Sequence, residues 1–125
     1  MQSVSTNKAA PAVGPYSQAV SHENMLFVSG QLGIDPETGL MPNSFEEQSN
    51  LVFANIKAVL EAANMHMANI VKVSVFLKDM ENFAALNEIY KHHFSSPFPA
   101  REAIEVARLP KDGQIEISVI AMRDA

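Results

Sequence analysis

Apolar residues recur along this chain in two rhythms, and the switching between them lays out an architecture. Leu51, Val52, Ile56, Val59, Leu60 and Ala63 follow one another at steps of one, three and four, while Glu46, Asn50, Lys57 and Glu61 fall elsewhere; this is the stripe of a helix buried along one side. Ser44, with Glu47 three residues on, has the spacing of a capping box that starts the helix, and Asn64 suits a left-handed cap that ends it. A second stripe of Phe83, Leu86, Tyr90 and Phe94 predicts another helix, capped by Asp79 or Asn82 and stopped by Ser95-Ser96-Pro97-Phe98-Pro99. Asn87 falls on the apolar side of that helix, where an amide needs hydrogen-bond partners.

Elsewhere the period is two. Ile70 to Leu77 sets Val71, Val73, Val75 and Leu77 against Lys72, Ser74 and Phe76. Arg101 to Ala107 sets Arg101, Ala103, Glu105 and Ala107 against Glu102, Ile104 and Val106, and Ile115 to Met122 sets its odd-numbered apolar residues against Glu116, Ser118, Ile120 and Met122. Ser17–Val20 and Met25–Val28 read as two further strands about the turn His22-Glu23-Asn24. The unbroken apolar run of the second predicts burial on both faces, with Gly30 supplying backbone freedom in a loop where it ends. Asp35-Pro36-Glu37-Thr38-Gly39 is a surface turn, and residues 1–13 form a polar, ordered or semi-ordered entry. The order β-β-α-β-α-β-β over a single domain, residues 1–125, predicts an α+β layer fold, a mixed sheet with two helices on one face.

Composition narrows the chemistry. A balance of 14 acidic against 9 basic residues, net charge -5, argues against nucleic acid as a partner. The chain has no cysteine, which removes disulfides, thiolate metal sites and thiol nucleophiles, and favours an intracellular setting. Met1-Gln2-Ser3-Val4-Ser5 does not open a targeting signal and no apolar run is long enough to span a membrane, so a cytoplasmic protein is expected. Four histidines (His22, His66, His92, His93) show no ligand spacing, and His92 and His93 project about 100° apart on a helix, so no metal is expected. Nucleotide-binding glycine loops and G-x-S-x-G are absent.

The candidates that remain are single residues. Arg101, at the mouth of a strand behind Pro99, offers a planar cation able to grip a small carboxylate with two hydrogen bonds; taken alone it reads more readily as a solvated strand-end charge than as a site. Glu116 is a carboxylate inside an apolar strand, either functional or a partner for Arg108 or Lys111. Tyr16 and Lys72 have ordinary structural readings, a buried ring with a bonded hydroxyl and a solvated strand face.

Taken together, the motifs are more specific. Gly14-Pro15-Tyr16-Ser17-Gln18-Ala19, Val28-Ser29-Gly30-Gln31, Asp35 to Gly39, the N-x-x-Y of Asn87 and Tyr90, Pro99-Ala100-Arg101 and Glu105 to Asp112 occur in an order that resembles the RidA/YjgF family of reactive intermediate imine/enamine deaminases over nearly the whole chain. The resemblance implies a chorismate-mutase-like fold, a homotrimer with clefts at its subunit interfaces, and no cofactor. It implies hydrolysis of 2-imino acids and their enamine tautomers, such as 2-aminoacrylate and 2-aminocrotonate, to 2-oxoacids and ammonia. Such intermediates are released by pyridoxal-phosphate-dependent dehydratases, which would be its metabolic link. Residue by residue, it implies that Arg101 holds the substrate carboxylate and Glu116 orients water; Tyr16, Ser29, Gly30 and Asn87 line the cleft and Lys72 lies near its mouth. Ala103 stands where many relatives carry cysteine, so thiol chemistry is not required. Other roles attached to the family are a carboxylate-sensing trimer that regulates a partner protein without turnover, and an endoribonuclease, which the acidic balance disfavours.

One geometric conflict follows. Asp112-Gly113 resembles a two-residue hairpin loop joining the last two strands, a register that sets Leu109 opposite Glu116 and Arg101 roughly 26 Å from it. For Arg101 and Glu116 to share a substrate, the last strand must lie elsewhere in the sheet or the two residues must meet across an interface; the resemblance favours the former.

Overall fold

The computed structural model describes residues 1–124. One six-stranded sheet runs in the order β1-β2-β3-β6-β4-β5, made of β1 (Gln2–Val4), β2 (Ala19–His22), β3 (Met25–Leu32), β4 (Ile70–Leu77), β5 (Ala100–Glu105) and β6 (Ile115–Met122). Its helices are α1 (Phe45–Ala62) and α2 (Phe83–Tyr90). β4 and β5 are parallel; every other neighbouring pair is antiparallel. Since β6 is antiparallel to both β3 and β4, those two are parallel to each other. The segments β3-α1-β4 and β4-α2-β5 are therefore parallel crossovers stepping the same way across the sheet, and their common handedness puts both helices on one face.

That helix-covered face holds the core. Leu26, Val28, Val73, Val75, Leu77, Ile115, Ile117, Val119 and Ala121 from the strands meet Val52, Phe53, Ile56, Val59, Leu60 and Leu86 from the helices. The predicted caps of α1 form in part as expected. Ser44 Oγ accepts from Glu47 N at 3.0 Å, but the Glu47 carboxylate accepts a hydrogen bond from the Ser44 hydroxyl instead of from the backbone. Asn64 adopts φ 57°, and Met65 N donates to Leu60 O at 2.9 Å to close the turn. The polar residues buried on α1 fasten loops: Asn55 Nδ2 donates to Leu32 O and Ile34 O, and Gln48 bridges Pro42 O and Gln114 N.

Several expectations are corrected. The entry contains β1, which pairs with β2, and β2 lies two residues later than its apolar run indicates. β3 is not buried on both faces, because Phe27 is 39% exposed on the side away from the helices. The strand also continues through Gly30 to Leu32, with no loop at the glycine. Val71 is exposed, since a bulge between Ile70 and Lys72 hands the inward position to Ile70. The second helix stops at Tyr90, four residues early, in a tightened turn where His93 N donates to Tyr90 O. Asp79 caps a 3-10 turn at Met80–Asn82 that leads into it. β5 ends at Glu105, short of Ala107.

The Asp112-Gly113 hairpin does not form. Lys111 and Asp112 both take φ 55° in a short 3-10 turn, Pro110–Asp112, after which the chain returns across the sheet and inserts β6 between β3 and β4. Burial accounts for this placement: Ile115, Ile117 and Ala121 are 0% exposed, which a strand needs neighbours on both edges and a helix above to achieve.

Candidate functional site

A fault in the β3–β6 ladder builds one half of the site. Val28 pairs with Val119 and Gln31 with Ile117, so β3 carries one residue more than β6 across this step, and Ser29-Gly30 forms a bulge. The Ser29 hydroxyl donates to Ser17 O at 2.6 Å and its amide to Gln18 O at 2.9 Å, tying the bulge to the segment before β2. Gly30 then lies directly against Glu116: a Cβ there would stand 2.8 Å from both Cδ and Oε1 of the carboxylate. Glycine is thus required by close approach, not by an unusual φ. Glu116 makes no ion pair among the described residues, since Arg108 is bonded to Asp112. Burial pushes the Glu116 carboxyl above the ordinary glutamate range.

Above Glu116 is a cleft of about 330 Å³. Tyr16, Gly30, Leu32, Lys111 and Glu116 line it, with residues 10–13 as its outer wall. That wall is anchored by Gln18, buried at 4% exposure, whose Nε2 donates to Thr6 O and Ala10 O while its Oε1 accepts from Thr6 N. The Tyr16 ring is half exposed at the cleft and its hydroxyl accepts from Val13 N at 3.4 Å, so it is not the buried ring of the ordinary reading. Gln18 and Gln31, both buried and both lining the cleft, stand within the motifs at 14–19 and 28–31 but are not singled out there as site residues. Beyond that membership, their signal in sequence is an uncharged amide, which must find partners once buried.

The other half is built by α2 and β5. Arg101 pairs with Val73, a core residue of β4, and so leaves the sheet on the helix side. Its guanidinium sits over the rings of Tyr90 and Phe83, and no carboxylate pairs with it among the described residues. Ala103 is two residues on along the same face, packed against the core. Asn87, half buried, lies on the α2 stripe between Phe83 and Tyr90.

These halves face apart. Glu116 pairs with Phe76 of β4 and Arg101 with Val73, three residues along and two strands over, or roughly 14 Å between their backbones. The correction of the strand order therefore shortens the expected separation, yet Arg101 projects from the helix-covered face and Glu116 from the open one. Tyr16, Ser29, Gly30 and Glu116 are brought together, as are Asn87, Arg101 and Ala103. Lys72 joins neither set: it is on the open face, bonded to Glu102 at 3.1 Å. That open face carries apolar side chains in register, with Val20, Phe27 and Ile120 in one row and, on either side of Glu116, Leu32 and then Phe76 and Ile104 in another.

No group of three or more His, Asp or Glu side chains among the described residues is placed to hold a metal ion. No helix among them is long and apolar enough to cross a membrane.

Comparison with known proteins bears on this arrangement. A family model described as Endoribonuclease L-PSP matches residues 6–123. A 2-iminobutanoate/2-iminopropanoate deaminase of Capra hircus is 46% identical over 121 residues, covering 96% of this chain and 88% of its own. RidA from an Antarctic Psychrobacter species superposes with a TM-score of 0.96 at 47% identity, over 98% of this chain and 100% of its own. Escherichia coli TdcF, solved with bound serine, gives a TM-score of 0.94 at 39% identity, over 99% and 100%.

Proposed function

Because this chain belongs to the RidA/YjgF family, and is similar to a protein named as an imine deaminase, we propose that it hydrolyses small 2-imino acids to 2-oxoacids and ammonia. Enamine tautomers enter by protonation at C3. Water adds through its oxygen to the imine carbon, the C=N electron pair moves to nitrogen, and the resulting carbinolamine expels ammonia as its C–O bond becomes a carbonyl. Imines are intrinsically reactive, so the protein has to supply orientation, charge and one proton relay, and no cofactor.

Arg101 supplies the charge, holding the substrate carboxylate by two parallel N–H donors. Glu116 takes a proton from the attacking water and returns it to the leaving nitrogen, a role suited to a carboxyl whose pKa burial has raised. Tyr16, Ser29, Gly30 and Asn87 shape the pocket, Ala103 contributes backbone and little bulk, and Lys72 remains at the periphery near its mouth.

Arg101 and Glu116 leave opposite faces of one sheet, so we propose that each site takes Arg101 from one copy of the chain and Glu116 from the next, within a homotrimer. The apolar rows of the open face supply a surface for that assembly, which would act in the cytosol downstream of pyridoxal-phosphate-dependent dehydratases. The observation that carries the reading is the pair of uncompensated opposite charges, one held over aromatic rings and one half-buried against Gly30. The test is to generate 2-aminocrotonate in place from threonine and a dehydratase, then follow its loss and 2-oxobutanoate formation. Acceleration over buffer that disappears in Arg101→Ala supports the proposal; no acceleration, or full activity in that variant, sinks it.

A further inference from the structure

The guanidinium of Arg101 is held by rings, and those rings differ in how firmly they are themselves held. Its Cζ lies 4.7 Å from the centroid of Tyr90 and 5.6 Å from that of Phe83. Phe94 stacks on Tyr90 at 4.4 Å with an interplanar angle of 27°, and Phe53 meets the same ring edge-on at 6.1 Å. A ring has two faces, so with Phe94 on one of them the arginine occupies the other. Tyr90 is 6% exposed and Phe83 38% exposed, an inner wall fixed in the core and an outer wall against solvent.

The hydroxyl of Tyr90 is buried without a hydrogen-bond partner among the described residues, whereas a buried tyrosine ordinarily finds one. What this tyrosine contributes locally is therefore its face. A guanidinium held over a ring by cation–π attraction keeps N–H donors that can still meet an anion. A bidentate grip depends on the plane of the guanidinium as well as on its charge, and an arginine already held against two rings has less rotamer freedom to lose when a ligand arrives.

We propose that Tyr90 is a positioning residue for the carboxylate clamp, its ring fixing the plane of the Arg101 guanidinium before substrate binds, with Phe83 as the second wall. This rests on Arg101 being the clamp, and a double-mutant cycle separates the two claims. The affinity for 2-oxobutanoate is measured by calorimetry in the assembled protein, together with KM and kcat for imine hydrolysis. Tyr90→Leu is expected to weaken 2-oxobutanoate binding about 5- to 20-fold and to raise KM in step, leaving kcat within about threefold. Tyr90→Phe, which keeps the face, stays within about twofold of wild type. Added to Arg101→Ala, Tyr90→Leu changes nothing further.

Weakening by Tyr90→Leu that is as large on Arg101→Ala as on wild type would show a merely structural ring, and overturn the proposal while leaving the clamp. So would a strong effect of Arg101→Ala alongside no effect of Tyr90→Leu. If Arg101→Ala itself leaves 2-oxobutanoate binding intact, the clamp is wrong and the proposal falls with it. Where Tyr90→Leu fails to fold, Phe83→Leu at the exposed ring takes its place: about two- to fivefold weaker binding on wild type and none on Arg101→Ala is the expected result, and unchanged binding on wild type overturns the proposal.

Discussion

If each site draws Arg101 from one chain and Glu116 from another, two inactive variants should rescue each other. Within one chain the two side chains leave opposite faces of the sheet about 14 Å apart, too far for either to reach a four-carbon substrate held by the other. Arg101→Ala removes the clamp from every chain and Glu116→Gln removes the proton relay, each expected to cost about 100-fold or more in rate. When the two are unfolded together in equal amounts and refolded into a closed ring, a site works only where an intact Arg101 meets an intact Glu116 across an interface. Random assembly gives each condition a chance of one half, so about one quarter of wild-type activity should return. The assay is 2-oxobutanoate formation from dehydratase-generated 2-aminocrotonate, with mixing of chains verified by a tag on one variant. A mixed assembly no more active than its parents would mean that both groups come from the same chain, and would refute the reasoning from opposite faces.

Other expectations follow from single contacts. In Gly30→Ala the new methyl would meet the Glu116 carboxyl at 2.8 Å, forcing it aside by about half an ångström or more; kcat should fall at least tenfold with KM little changed, and unchanged kcat would deny Glu116 its role. The acid limb of the pH–kcat/KM profile should lie above the ordinary glutamate pKa of about 4.3, because burial raises that of Glu116 and the proposed reaction needs its charged form; a limb at or below that value counts against the proposal. For folding the sign is opposite. A carboxyl whose pKa is raised in the folded state contributes stability fully below its unfolded pKa and loses it as pH rises through the folded value. Glu116→Gln should therefore gain in denaturant midpoint relative to wild type at neutral pH and not at pH 4. Ser44→Ala removes the bond to Glu47 N and should lower unfolding free energy by about 1 kcal/mol, read from urea curves, with activity intact.

Local patterns carried most of the fold. The stripe of α1 and the alternation of β4 and β6 are legible because one side of each is buried and the other is not, and Asn64, at φ 57°, reads as a cap because asparagine enters the left-handed region more readily than most residues. β1 was invisible because Gln2-Ser3-Val4 offers one apolar side chain and owes its strand to pairing with β2. The hairpin failed for a related reason: Asp112-Gly113 is a local signal, whereas the place of β6 is decided by how much of Ile115, Ile117 and Ala121 can be buried. At the candidate site, Arg101 and Glu116 stood out by type and motif, but alternation within each strand did not say which face of one strand matches which face of another. Gln18 and Gln31 were missed because amides reveal their task only once their partners are in place.

The insertion of β6 also bears on how the molecule comes into being. The latest strand in chain order lies at the centre of the sheet, between β3 and β4. Without residues 115–122, β1-β2-β3 and β4-β5 have no strand to join them, and wherever either forms it would present an unpaired apolar edge, a template for stray pairing. Joining them is a long-range event, slow by topology and not available to the earlier segments alone. The strand that completes the sheet also carries Glu116, so no partly made chain can hold the finished cleft.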